Sequence, residues 1–154
     1  MNRTLIANGF VAVQFVLFAV LLAIMIGTPR TASTPMLIAG IALCVIGAAV
    51  LALSLGAHRR VNRGGLNVSP MPRADAGLVS VGIYARIRHP IYLAVFLVAF
   101  GAALVHGNPW LFALALVLVS FFMLKSLFEE HLLKERYPTY ATYMRTAGRF
   151  WPRW

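Results

Sequence analysis

The chain has 154 residues, of which 60% are hydrophobic and 12% charged, and its formal net charge is +10. Soluble domains carry charge on about a quarter of their residues, so this composition excludes one and points to an integral membrane protein. The basic residues cluster beside apolar runs, as the positive-inside rule requires, which argues against a nucleic-acid partner.

Leu5 to about Gly27 is the first apolar segment. It is too long for a signal-peptide core and reads as a retained span. Its polar members, Asn8 and Gln14, can bond to a neighbouring helix. Residues 36–57 form the second span. There Gly40, Cys44, Ala48, Ala52 and Gly56 recur every four residues. They share one helix face and are all small, which predicts the close approach of another helix. Cys44 is the only cysteine, so an intrachain disulfide and a cysteine-built metal site are excluded.

Residues 58–89 are a long polar connection. Gly64, Gly65, Pro70 and Pro72 break any long regular helix across it. Loops of this length are often functional. The third apolar stretch, 90–105, is short, and its apolar part measures roughly 22 Å as a helix. His106-Gly107-Asn108-Pro109 makes a tight turn into the fourth span, 110–128, so the last two spans form a helical hairpin. Residues 129–154 follow as a C-terminal helical segment. The 58–88 loop and the C-terminal part carry six of the 14 Lys and Arg residues each, and the 106–109 turn carries none. Both termini are therefore expected on the cytoplasmic side. The expected fold is a single all-α integral membrane domain over 1–154 with about four transmembrane helices. Its expected place is a cytoplasmic (inner) membrane of bacterial or archaeal type.

There are four acidic residues: Asp75, Glu129, Glu130 and Glu135. None lies in the first three spans, which weakens a proton-coupled transporter. Glu129 and Glu130 close the fourth span, where the helix dipole disfavours carboxylates. Either the helix continues, with Lys125–Glu129 and Glu130–Lys134 pairs at i,i+4, or one glutamate faces inward to hold a hydroxyl or an amine. Upstream, Arg88 and His89 precede Pro90, which suits the first turn of a helix. Free N–H groups and a positive dipole end would meet there, as a site for a carboxylate or phosphate. A plain juxtamembrane anchor is the other reading. Tyr137, Tyr140 and Tyr143 repeat every three residues, with Arg145 and Arg149 after them. That pattern fits an interfacial amphipathic helix or a lid over a bound cofactor.

The stretch SPMPRADAGLVSVGIYARIRHPIYLA, followed one span later by EEHLLKERYPTYATYMRTAGRFWP, resembles the isoprenylcysteine carboxyl methyltransferase and phospholipid methyltransferase superfamily. The resemblance covers about Asn67 to Pro152. It implies a membrane methyltransferase using S-adenosylmethionine, with a cofactor pocket between the two blocks at the cytoplasmic face. By that resemblance Tyr84, Arg88, His89, Pro90, Tyr92, Glu129, Glu130, Tyr140 and Tyr143 bind the cofactor. Arg145, Arg149 and Glu129 are the catalytic candidates. The implied partners are membrane lipids and a lipophilic acceptor, an isoprenylcysteine-type carboxylate or a lipid amine. Ile83 and Ala94 depart from the proline and glycine common in the family, and Arg136-Tyr137 from its Phe-Gly. No GxGxxG follows a strand, so a Rossmann-type cofactor site is not offered. A sterol-type reductase and a non-enzymatic four-span transporter or scaffold are the rival readings.

Overall fold

A computed structural model describes residues 2–62, 68–72 and 76–153. Gly64, Gly65, Asn67 and Asp75, named above, and two of the loop's six basic residues, Arg63 and Arg73, lie outside the described residues. The described chain folds into α1 (Arg3–Gly27), α2 (Thr34–Val61), α3 (Pro90–His106), α4 (Pro109–Arg136) and α5 (Tyr140–Thr146). A short 3₁₀ turn, Gly82–Ala85, precedes α3. Helices α1, α2 and α4 are long and apolar enough to cross a membrane. Helix α3 has 17 residues, about 25 Å at 1.5 Å per residue, short of the ~30 Å hydrocarbon layer.

Local chemistry explains the boundaries. Helices α2, α3 and α4 each carry a proline in the first turn, where its missing N–H costs nothing. Gly107 ends α3 at φ 78°, a left-handed cap that glycine adopts without strain. The Asn108 side chain accepts from the Trp110 N–H at 2.9 Å and starts α4. The α1–α2 connection is tied to this turn. The Thr31 N–H donates to the His106 carbonyl at 2.9 Å, the Thr31 hydroxyl to the Gly107 carbonyl at 3.0 Å, and Asn108 Nδ2 to Thr28 Oγ1 at 2.9 Å.

The closest helix pair is α2 against α3. A Cβ on Gly40 would sit 2.7 Å from the Gly101 carbonyl oxygen, and one on Gly101 2.6 Å from Cys44 Sγ. The expected small-residue stripe is therefore half right. The residues α2 buries are Gly40, Gly47, Ser54 and Ala57, while Ala48, Ala52 and Gly56 are exposed. A strict step of four turns about 40° too far each time on a 3.6-residue helix, so the stripe walks off the interface; a step of seven stays on it.

At the end of the fourth apolar run the helix continues, one of the two readings the sequence leaves open: α4 runs to Arg136, so the first part of the 129–154 segment, residues 129–136, extends this helix. Tyr137 closes this helix and Tyr140 opens α5. Pro138 between them prevents the three tyrosines from sharing one helix. The tail then returns to the bundle. Phe150 joins Phe96, Ala99, Leu118 and Phe122 in the main apolar cluster, with Phe18 and Leu21 of α1 packed on it. Arg3, at the start of α1, pairs with Glu135, near the end of α4, so these two helix ends lie on one face of the bundle.

Candidate functional site

Everything at the start of α3 is organised by the returning tail. Ile87 and Gly148 form a parallel bridge. The Arg88 N–H donates to the Gly148 carbonyl at 2.8 Å and the His89 N–H to the Arg149 carbonyl at 2.9 Å. Two of the amides expected to be free there, those of Arg88 and His89, are thus already spent on the tail. The anion at this point is Glu130, whose side chain is 3% exposed. It accepts from Arg88 Nε at 2.9 Å, from Arg149 Nη2 at 2.8 Å, and lies 3.2 Å from His89 Nε2. A buried charge is tolerable only with such multiple pairing. Arg88 also donates to the Ala147 carbonyl. Glu130 therefore fastens α4 to the start of α3 and to the tail. The i,i+4 pair with Lys134 expected for a continuing helix is not formed.

Glu129 has the other expected fate and faces inward. The Tyr92 hydroxyl donates to Glu129 Oε2 at 2.7 Å, and His89 Nδ1 lies 3.6 Å from the same oxygen. The imidazole stacks on the Tyr92 ring, with centroids 5.1 Å apart and 10° between planes. These groups wall a cavity of about 510 Å³. Its roof is made of residues 68–72 and 76–79. That roof is pinned by the Asn62 side chain, which accepts from the Gly77 N–H at 2.8 Å and donates to the Gly77 carbonyl at 3.1 Å. The Tyr137 hydroxyl donates to the Ala76 carbonyl at 2.6 Å. At the mouth, the Tyr143 hydroxyl donates to the Tyr84 carbonyl at 2.6 Å. Burial pushes the Tyr84, Tyr140 and Tyr143 phenols well above their usual range, so all three stay neutral donors.

Seven of the sequence-derived site residues line this cavity: Tyr84, Arg88, His89, Tyr92, Glu129, Tyr140 and Tyr143. Pro90 is buried as the first residue of α3. Glu130 and Arg149 stand behind the wall and hold Arg88 and His89 in place. Arg145 is exposed on α5 and is not part of the lining. Ala94 is buried, its backbone packed near Gly47 of α2, and is not among the residues that line the cavity, so its methyl does not narrow it.

Sequence reasoning missed Lys125, Gln14, His58 and Asn62, which also line the cavity. Lys125 counts among the six basic residues of the C-terminal part, yet it is 1% exposed. The available signal was its spacing of four from Glu129, which puts both on one helix face. Two lining groups lack partners: the Tyr140 hydroxyl and His58 Nδ1 are buried with no hydrogen bond among the described residues. A buried polar atom left unpaired costs stability unless something fills the site.

Residues 35–140 match the phospholipid methyltransferase family. The chain belongs to that family. The match takes in α2, the roof of the cavity, α3 and α4, and it ends at Tyr140. Helix α1 with Gln14 and the Gly148–Arg149 return lie outside it. A search of curated proteins finds no match. Membership in the phospholipid methyltransferase family implies methyl transfer to a lipid-type substrate by an integral membrane protein, in a family that generally draws the methyl group from S-adenosylmethionine. The cavity suits that cofactor. It presents an inward carboxylate for an amine or ribose hydroxyls, an unpaired phenol as donor, and aromatic faces that attract a sulfonium.

Proposed function

We propose that this protein transfers a methyl group from S-adenosylmethionine to a lipophilic acceptor, a carboxylate of isoprenylcysteine type or a lipid amine. The observation that carries this reading is the cavity itself, lined by the inward Glu129 and by the buried Tyr140 hydroxyl, which has no hydrogen-bond partner among the described residues. When bound, the cofactor supplies an electrophilic methyl on a cationic sulfur.

The residues supply position. Arg88 and His89 are fixed from behind by Glu130, so the cavity wall does not have to rearrange when a ligand enters. Holding two partners in line supplies roughly 7–11 kcal/mol of the barrier. Tyr92 orients the Glu129 carboxylate and His89 flanks it. The roof of residues 68–72 and 76–79 and the tyrosines at the mouth shield the reacting groups from water. Helix α1 leans chiefly on α4, which leaves a flank through which a lipid acceptor enters from the bilayer. The cofactor enters past Tyr143, on the side we assign to the cytoplasm from the basic residues of the loop and tail. Four spans, with α3 the short one, complete this topology.

The test is saturable binding of S-adenosylhomocysteine to the purified protein in detergent, measured by calorimetry. One-site binding that weakens in Glu129→Gln and Tyr140→Phe, with the fold retained, supports the reading. No binding in a folded sample, repeated in lipid nanodiscs, overturns it.

A further inference from the structure

Lys125 is a buried charge in the cavity wall to which the reading above gives no role. Its ammonium donates to Gln14 Oε1 at 2.6 Å and to the Val68 carbonyl at 3.0 Å. The Tyr92 and Phe122 ring centroids each lie 5.6 Å away. Among the described residues, no carboxylate stands within ion-pair distance of it. Glu129, one turn further along α4, is engaged with the Tyr92 hydroxyl instead. An ammonium has three protons to donate, and the two oxygens that receive them here are neutral. Among the described residues one N–H is left without an acceptor, and the charge is met by two ring faces and by no direct ion pair.

The position is informative. Cavity residues divide into a polar end, with Arg88, His89 and Glu129, and an apolar end, with Phe18, Val95 and Phe122. Lys125 stands between them, walled by Phe122 and Tyr92. A lipid tail fits the apolar end, which brings its headgroup to Lys125. Ionisable groups inside apolar helices are costly and mark a functional contact. Here the missing element is a negative charge on the ligand.

We infer that Lys125, held by Gln14 of α1, reads the headgroup of the methyl acceptor, and that this acceptor is a lipophilic carboxylate. The inference rests on the methyl-transfer reading of the cavity. A carboxylate pairs with the ammonium and uses its third N–H, whereas an alkylammonium headgroup at Lys125 meets a like charge. The chemistry is balanced without a base. A carboxylate oxygen contributes the electron pair of the new O–CH₃ bond, the S–CH₃ bond pair returns to sulfur, and no proton moves. Lys125 is a binding residue in this scheme, and Gln14 positions it.

Oleate and oleylamine share a tail and differ in headgroup charge, so they separate the two acceptor classes. Each is titrated by calorimetry into the wild-type protein in uncharged detergent at neutral pH, with S-adenosylhomocysteine already bound. Oleate is expected to bind saturably and oleylamine at least roughly tenfold more weakly, the scale of one charge-assisted contact. Lys125→Met, close in volume, is expected to weaken oleate about tenfold and to leave S-adenosylhomocysteine affinity unchanged; Lys125→Arg is expected to keep oleate binding. Equal or tighter binding of oleylamine overturns the inference without any variant. So does a Lys125→Met protein that loses the cofactor product and not oleate, because Lys125 then belongs to the cofactor. If the wild type fails to bind S-adenosylhomocysteine, the methyltransferase reading itself falls. If it binds that compound and not oleate, only the present inference falls.

Discussion

Two regions hold α3 in place, by opposite means. Against α2, it is held by the absence of side chains: Gly40, Gly47 and Gly101 let the backbones meet, and a Cβ on any of them would collide with its neighbour. At its N-terminal start, it is held by charge: Arg88 and His89 converge with Arg149 on one buried carboxylate, Glu130. The first interface is built of small, non-polar contacts and tolerates no added volume. The second is built of strong polar contacts and tolerates no lost partner. The cavity lies on the charged side, where a rigid wall of polar groups is needed, and the apolar interface keeps the helix behind that wall from shifting.

The comparison breaks hardest at the carboxylate. Glu130→Ala leaves Arg88 buried without its counter-charge, a loss of about 3–5 kcal/mol. A much lower unfolding midpoint in detergent, with S-adenosylhomocysteine binding abolished, is the expected result. On the other interface, Gly40→Ala sets a Cβ 2.7 Å from two backbone atoms, and overpacking of that kind costs about 1–3 kcal/mol. Thermal unfolding should register this loss, with cofactor-product affinity at low temperature close to that of wild type. Tyr143→Phe removes one hydrogen bond, to the Tyr84 carbonyl, worth about 1 kcal/mol. Its signature should be a faster off-rate of S-adenosylhomocysteine, because the tie at the mouth is loosened while the wall stays intact. Smallest is Gly56→Ala. Nothing lies within 4 Å of a Cβ there, so the helix-propensity gain of about 0.5–1 kcal/mol is left unopposed. A raised or unchanged melting temperature is the expected outcome. A large drop would mean that this stretch of the small-residue stripe is an interface after all.

Much of the fold was legible because membrane spans follow from local composition. Apolar length, Pro at helix starts and Gly107 in the turn are properties of short stretches, and the helices begin and end close to where those signals lie. Glu129 and Glu130 show where such reading stops. Adjacent residues on a helix point about 100° apart, so one turns into the cavity and the other into the ionic node behind it. The residue pair alone cannot say which does which. Arg145 and Arg149 differ for a similar reason. Both follow the tyrosines, yet only Arg149 lies on the stretch that pairs with Ile87–His89, while Arg145 remains on the exposed side of α5.

The sequence by itself determined that this is a membrane protein of apolar helices, that a basic loop and tail flank them, and which two blocks carry the resemblance to membrane methyltransferases. Those features reside in composition and in residues close together along the chain. Only the tertiary structure decided that Lys125 is a buried group and not a surface anchor, that Gln14 from 111 positions away accepts its hydrogen bond, and that Gly148 and Arg149 use up the amides ahead of α3. These outcomes depend on which helix face meets which neighbour. That is fixed by summed packing across the whole bundle, and no local stretch of sequence contains it.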